Sequence, residues 1–222
     1  MITLDAPWLE FDLGAPMRVL SWSINAPGFV TSDKMLWREV RNADLSPEID
    51  VLEWLQGALA ARDAQNAVVL LTSRDIATYE HARAEVEGIV VDCVATVGLS
   101  NGERIGTRTD YSTRDWGTIN VGLRVCAGLT DAAMIETLSI ATQARTAAVM
   151  EAGAMVPAGM ITGTGTDCIA VAALAGDQQF AGLHTAIGEA VGRAVYDAVY
   201  AGAMAWRRAY PAAPGTPMEG GQ

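Results

Sequence analysis

The stretch GMITGTGTDCIAVAAL (residues 159–174) runs from a loop of glycines and threonines directly into an apolar segment. A phosphate-binding loop places a lysine after its last glycine, and the only lysine of the chain is Lys34. A dinucleotide-binding turn opens a helix, whereas DCIAVAAL (167–174) predicts a buried strand. The loop is therefore interpreted either as backbone that approaches a ligand closely, or as a tight connection in which Asp167 caps the turn.

The rest of the chain mixes strand and helix patterns without strict alternation. Strands are predicted over 18–25, 29–40, 67–73, 89–99, 117–128 and 167–174, the first two forming a hairpin. Helices are predicted over 46–66, 75–88, 129–153 and 184–210. This order favours one α+β or mixed α/β domain, whose largely antiparallel or mixed sheet carries packed helices. The domain covers 1–210, and the Pro/Gly-rich residues 211–222 are predicted to be a disordered tail.

Helix ends have recognisable signals in two of these segments. Ser46 suits the N-cap of the first helix, and Pro47 suits its first turn. Thr130 or Asp131 caps the third predicted helix, and Gly153 closes it.

Composition excludes several classes of protein. The 222 residues carry a net charge of -11 with scattered basic residues, which argues against nucleic-acid binding and a polybasic membrane patch. No apolar run is long enough to cross a membrane, and the first residues do not resemble a signal peptide. Cys93, Cys126 and Cys168 are odd in number and far apart, so neither a disulfide framework nor a metal site is expected. These features predict a cytoplasmic protein.

The chain has only two histidines. His184 lies five residues before Glu189, so that Asp167, His184 and Glu189 are candidates for an acid, a base and an orienting group. The alternative is a helix-capping histidine and a solvated glutamate. Asn120, in GTIN, either donates to an oxyanion or caps a turn. Trp116 lies at the end of the long polar stretch 100–117 and is a candidate for packing on a flat ligand.

Six blocks, taken in order, resemble the adenosylcobinamide amidohydrolase family. The resemblance extends over about residues 17–208, and its most specific parts are GTIN, TGTGTD and HTAIGE. The blocks are RVLSWSIN (18–25), TVGLSNGERIG (96–106), GTINVGLRV (117–125), ATQARTAAVMEAG (141–153), TGTGTDCIAVA (162–172) and GLHTAIGEAVGRAVYDAV (182–199).

The resemblance implies hydrolysis of the amide that joins aminopropanol to the corrin ring, releasing adenosylcobyric acid and 1-amino-2-propanol. The partner is then a corrinoid, and no cofactor is implied beyond the cobalt of the substrate. Neutral polar groups suit a ring rimmed by amides. The expected substrate-binding residues are Thr118, Gly163, Thr164, Gly165, Thr166, Asn101 and Trp116. The small residues Gly188 and Gly192 in the last helix suit contact with a sheet or a second subunit, so a homodimer is compatible with the sequence.

In the mechanism expected from these residues, Asp167 or Glu189 activates water and His184 shuttles the proton. Asn120 and the loop amides of 163–166 stabilise the oxyanion. Thr164 or Thr166 is the alternative nucleophile, and cobalt ligation is an alternative role for His184.

The chain departs from the family pattern ATEAK at Gln143 and Arg145. Glutamine cannot transfer protons as glutamate does, and arginine lacks the tunable pKa of lysine. A corrinoid-binding protein without hydrolysis is therefore a rival interpretation. A third is an amidase that cleaves itself before Thr118 or Thr164.

Overall fold

Twelve strands and three helices make up the part of the chain that the structure describes. The computed structural model describes residues 1–41, 44, 49–108 and 117–211. The strands are β1 (Ile2–Asp5), β2 (Trp8–Ser21), β3 (Gly28–Glu39), β4 (Val68–Thr72), β5 (Glu80–Val86), β6 (Ile89–Val97), β7 (Gly102–Glu103), β8 (Ile119–Leu129), β9 (Met155–Val156), β10 (Gly159–Met160), β11 (Gly163–Thr164) and β12 (Cys168–Ala175). The helices are α1 (Val51–Ala60), α2 (Asp131–Glu151) and α3 (Ala186–Ala209).

Eight strands form one mixed sheet. The strand order is β4-β3-β2-β12-β8-β6-β5, and β1 pairs with the first residues of β2. Two pairs are parallel, β3 with β4 and β8 with β12, because α1 and α2 respectively return the chain to the starting edge. The remaining pairs of the sheet are antiparallel. The predicted α+β class, with a mixed sheet and packed helices in a single domain, is confirmed.

The sheet is strongly bent, so that β3 approaches the central strand β8 from one face. Met35 and Trp37 on β3 meet Gly122 on β8, although β2 and β12 separate these strands in the sheet. A Cβ at Gly122 would lie 2.6 Å from Cη2 of Trp37 and 2.9 Å from the Met35 sulfur, so only glycine admits this approach. We call the enclosed side the concave face. Its core includes Leu9, Phe11, Val19, Trp37, Leu70, Val94, Cys168 and Ala170.

Helices α2 and α3 cover the opposite side of the sheet. Val121, Leu123 and Val125 on β8 point into their core, each fully buried. Burying one such side chain stabilises the fold by about 1.5–3 kcal/mol. Since side chains alternate along a strand, Asn120 projects from the other side, onto the concave face.

The predicted helix over 75–88 is wrong. Asp75 caps one short 3₁₀ turn at Ile76–Thr78, and β5 follows at once. Helix-forming residues dominate Glu80–Val86, but pairing with the β-branched strand β6 overrides that local preference. Glu87 and Gly88, with φ of 50° and 80°, close the two-residue turn between these strands.

The predicted helix cap is confirmed at α2 and differs at α1. Thr130 caps α2 by accepting from the backbone N–H of Ala133. The first helix begins later than predicted, because Asp50 accepts from two backbone N–H groups and caps α1. Ser46 and Pro47 lie outside the described residues. None of the helices in the described ranges is long and apolar enough to cross a membrane. Residues 212–222, most of the predicted tail, also lie outside these ranges.

Candidate active site

A cavity of about 560 Å³ opens on the concave face, between the end of β4 and the start of β8 and β12. The buried side chains of Asn120 and Cys168 line it, together with residues 69–73 of β4 and the turn after it. Exposed side chains, among them Trp22 and Ile24, border it towards solvent. Apolar walls with a few polar groups are typical of small-molecule sites.

Asn120 joins the two sides of the cavity. Its Nδ2 donates to the carbonyl oxygen of Leu71, at 2.6 Å, which links β8 to β4 across the bend. The Thr118 hydroxyl donates to the carbonyl oxygen of Thr166, at 2.8 Å, and lies 3.5 Å from Oδ1 of Asn120. The structure therefore brings Thr118, Asn120 and Thr166 together at one wall of the cavity.

Asn101 is buried against the glycine-rich loop and contacts it through both its side chain and its backbone. The Thr166 hydroxyl donates to the carbonyl oxygen of Gly117, at 2.9 Å, and Nδ2 of Asn101 lies 3.4 Å from that hydroxyl. The backbone N–H of Gly165 points to the carbonyl oxygen of Asn101, at 3.4 Å. Asn101 is 1% exposed, and its Oδ1 has no partner among the described residues.

The Asp167 carboxylate is enclosed by donors. Its Oδ1 accepts from the backbone N–H of Ile119 and of Thr164, each at 3.2 Å, and from the Thr164 hydroxyl. Its Oδ2 lies 2.6 Å from Nη1 of Arg145, which reaches it from α2. Only 8% of the Asp167 side chain is exposed. The carboxylate thus points towards α2, while the residue itself contributes to the wall of the cavity.

Burial raises the pKa of Asp167 above its ordinary value. The Arg145 charge and the hydrogen bonds from Thr164 and Ile119 lower the pKa, but they do not cancel the loss of hydration. Asp167 is therefore a stronger proton acceptor than an exposed aspartate. The Thr164 hydroxyl donates its proton directly to this carboxylate, so Asp167 is placed to accept that proton.

Arg145 belongs to this cluster, although the sequence did not assign it a place in the site. Its Nη1 also donates to the carbonyl oxygen of Thr162, at 2.9 Å. A Cβ on Gly163 would overlap that nitrogen and would lie 2.6 Å from Oδ2 of Asp167, which explains the glycine. The available signal was the resemblance to a family with lysine here. Gln143, the other departure, is exposed and donates to the Ser139 hydroxyl, outside this cluster.

Trp22 is a second residue that sequence reasoning missed. Its Nε1 donates to the carbonyl oxygen of Asp167, at 2.7 Å, and 46% of the residue is exposed. Trp22 falls inside the predicted strand 18–25, but β2 ends at Ser21 and leaves the side chain exposed. Trp116, the tryptophan predicted to contact the ligand, lies outside the described residues.

The structure does not bring His184 and Glu189 to the cavity. They lie beyond the far end of β12, whose first and last residues are about 23 Å apart at about 3.3 Å per residue. The preceding turn packs on the start of α2, where the Ala181 backbone N–H donates to Glu136 at 2.6 Å. Glu189 pairs with Arg193 at 2.8 Å on the exposed side of α3, and Thr185, not His184, caps that helix. The expected convergence of both residues with Asp167 is therefore wrong.

Replacing His184 with Ala, or Glu189 with Gln, is expected to change kcat/KM by less than about 2-fold, because surface side chains away from the site rarely affect function. The rate of substrate hydrolysis measures this. A loss of 100-fold in either variant would place the reaction at the far end of the sheet.

The three thiols differ in environment. Burial raises the pKa of Cys168 to about 12, and burial likewise raises that of Cys93. Cys168 lines the cavity, but it is a neutral thiol near pH 7 and no nucleophile. No cluster of three or more His, Cys, Asp or Glu side chains suited to a metal ion occurs in the described ranges.

Only Cys126 is exposed, so the native protein is expected to take up one equivalent of iodoacetamide at pH 8, and three after denaturation. Intact mass counts the labels, and Cys126→Ser provides the control. Rapid labelling of native Cys126→Ser would contradict the burial of the other two thiols.

The family model of CbiZ, adenosylcobinamide amidohydrolase, matches residues 2–211. No curated protein matches the chain. Among solved structures, the crystal structure of the PH0078 protein from Pyrococcus horikoshii OT3 is similar at 10% identity, with a TM-score of 0.47. That alignment covers 88% of this chain and 76% of the other.

Proposed function

The chain belongs to the adenosylcobinamide amidohydrolase family, and on this basis we propose that it hydrolyses the amide linking aminopropanol to the corrin ring of adenosylcobinamide. One water is consumed as the C–N bond breaks. The products are adenosylcobyric acid and 1-amino-2-propanol, which is a salvage step for cobalamin. The cobalt belongs to the substrate.

The hydrogen bond from the Thr164 hydroxyl to the buried Asp167 carboxylate carries the chemical part of the proposal. A nucleophile, an adjacent base and a third group that orients the base form the usual arrangement for covalent catalysis. Here Thr164 supplies the hydroxyl, Asp167 accepts its proton, and Arg145 holds Asp167.

The reaction then proceeds in two stages. The Thr164 oxygen attacks the amide carbon while its proton passes to Asp167 and onward to the departing amine, which leaves as 1-amino-2-propanol. Water next attacks the resulting ester and gives its proton to Asp167. Cleavage of the ester returns a proton to Thr164 and releases the corrinoid carboxylic acid.

The polar wall of the cavity provides the binding groups. Thr118, Asn120 and Thr166 offer hydroxyl and amide groups to the amide-rimmed substrate without formal charge. The Nδ2 proton of Asn120 that is not donated to Leu71 stabilises the negative oxygen of the tetrahedral intermediate. The backbone N–H groups of Thr164 and Gly165, expected to share this role, are directed instead at Asp167 and at the carbonyl oxygen of Asn101.

Thr164→Ser is expected to keep kcat/KM within about 10-fold of the parent, whereas Thr164→Val is expected to lower it about 100-fold. Serine retains the attacking hydroxyl, and valine retains only the shape. The valine variant keeps a residual rate because Asp167 still activates a water. Release of 1-amino-2-propanol measures both. Equal rates in valine and parent protein would show that water attacks directly.

The rival function is corrinoid binding without hydrolysis, which Gln143 and Arg145 in place of the family's Glu and Lys favour. Incubation with adenosylcobinamide followed by mass analysis of the products separates the two. Bound but uncut adenosylcobinamide would favour the rival. The same analysis weighs the protein itself, and a chain of 23.4 kDa excludes cleavage before Thr118 or Thr164.

A further inference from the structure

Two large apolar side chains lie at the opening of the cavity. Trp22 and Ile24 both line the cavity and are 46% and 45% exposed. The strand β2 ends at Ser21, so these side chains leave the sheet and face solvent instead of the core. Large apolar side chains grouped at the mouth of a pocket commonly mark a ligand contact.

The cavity is too small to contain a whole corrinoid. Its volume of about 560 Å³ suits a drug-sized molecule, and a corrin ring with its side chains and adenosyl group is larger. One arm of the substrate therefore enters, and the ring has to rest outside against whatever borders the opening. Arg41, the charged neighbour at this border, is 70% exposed and paired with Glu39.

The indole of Trp22 is held in a defined orientation. Its Nε1 donates to the Asp167 carbonyl oxygen at 2.7 Å, which ties the ring to the loop that carries Thr164 and Asp167. An aromatic side chain offers a large rigid surface at small entropic cost, and its polar end fixes the orientation.

We propose that Trp22 and Ile24 form the platform on which the corrin ring rests while its aminopropanol arm enters the cavity. This inference depends on the proposed function, because it names the substrate contact of the same site. The platform places the scissile amide beside Thr166 and Asp167, the residues of the glycine-rich loop that line the cavity. The indole N–H holds the backbone of Asp167 next to that amide.

Two variants separate the contribution of the Trp22 aromatic ring from that of its indole N–H. Trp22→Ala removes the platform and is expected to raise the Kd for adenosylcobyric acid, the product, by about 10-fold, with a similar rise in KM. Trp22→Phe keeps an aromatic ring and loses the bond to Asp167, so KM stays within about 2-fold while kcat falls by about 3- to 10-fold. Equilibrium dialysis, read by corrinoid absorbance, gives the Kd without turnover.

Phe180→Ala is the matched control, because Phe180 is 71% exposed in the turn beyond the far end of β12. It is expected to leave Kd, KM and kcat unchanged. If Trp22→Ala fails to fold, Trp22→Leu removes the flat surface and keeps an apolar side chain, with the same expected rise in Kd.

The two possible failures are distinct. A Kd within 2-fold of the parent value in folded Trp22→Ala or Trp22→Leu would overturn the platform and leave hydrolysis intact. Parent protein that neither binds adenosylcobyric acid nor cleaves adenosylcobinamide would instead overturn the proposed function.

Discussion

Asp167→Asn is expected to lower kcat/KM for adenosylcobinamide by about 10³- to 10⁴-fold. The amide has nearly the shape of the carboxylate, but it cannot take the proton of the Thr164 hydroxyl that now points at Oδ1. Release of 1-amino-2-propanol under single-turnover conditions measures the loss. Retention of more than a tenth of the parent rate would remove Asp167 from the reaction.

The variant also leaves the Arg145 guanidinium without its countercharge, and one unpaired buried charge costs about 3–5 kcal/mol. Stability therefore has to be measured beside activity. The double variant Asp167→Asn/Arg145→Gln removes both charges, and we expect it to recover stability without recovering hydrolysis.

The pH profile gives a second readout of the same group. Burial raises the pKa of Asp167 above its ordinary value, so kcat/KM is expected to fall as the pH drops through this higher pKa. The raised pKa also determines how the free energy of unfolding depends on pH. Between the unfolded and folded pKa values the folded chain binds more protons, so the free energy of unfolding contributed by Asp167 decreases as pH rises through that window.

Gly163→Ala is expected to reduce the free energy of unfolding by about 3–5 kcal/mol, which lowers Tm by about 10 °C in a chain of this size. The added Cβ would overlap Nη1 of Arg145 and crowd Oδ2 of Asp167, so the ion pair has to open inside the protein. Urea denaturation measures the change, and hydrolysis is expected to fall with it.

Gly165→Ala, two residues away, is the matched control. Its Cβ would meet only Nδ2 of Asn101, at 3.8 Å, which is an ordinary contact. The expected change in the free energy of unfolding is within about 0.5 kcal/mol. Equal losses at Gly163 and Gly165 would mean that loop flexibility, and not the ion pair, requires the glycines.

Local patterns predicted most of the regular structure. The strand over 167–174, the helix over 129–153 and the final helix were each found within a few residues of their expected bounds. The errors have a common physical origin, which is tertiary pairing. Glu80–Val86 forms a strand only because β6 lies beside it, and β1 exists because it pairs with the long strand β2.

The site was predictable in part. The loop Gly163–Asp167 and Asn120 are adjacent because β8 and β12 pair with Asn120 opposite Cys168, and the motifs pointed to both segments. Trp22 reaches this loop because β2 pairs with β12, with Ser21 opposite Ala170. The contact of Asn120 with Leu71 depends on the bend of the sheet, which no local pattern encodes. His184 and Glu189 were placed wrongly because the spacing within a helix does not tell at which end of the sheet that helix begins.

The central position of β12 has a consequence for synthesis of the protein. This strand lies between β2 and β8, yet it is translated after both of them. Until the ribosome has translated Ala175, the nascent chain can form only two separate β-sheets, each with an unpaired edge strand. Unpaired edges of this kind favour mispairing and binding by chaperones. Insertion of the last strand joins the halves, so the pairing between the two halves of the sheet forms late in folding.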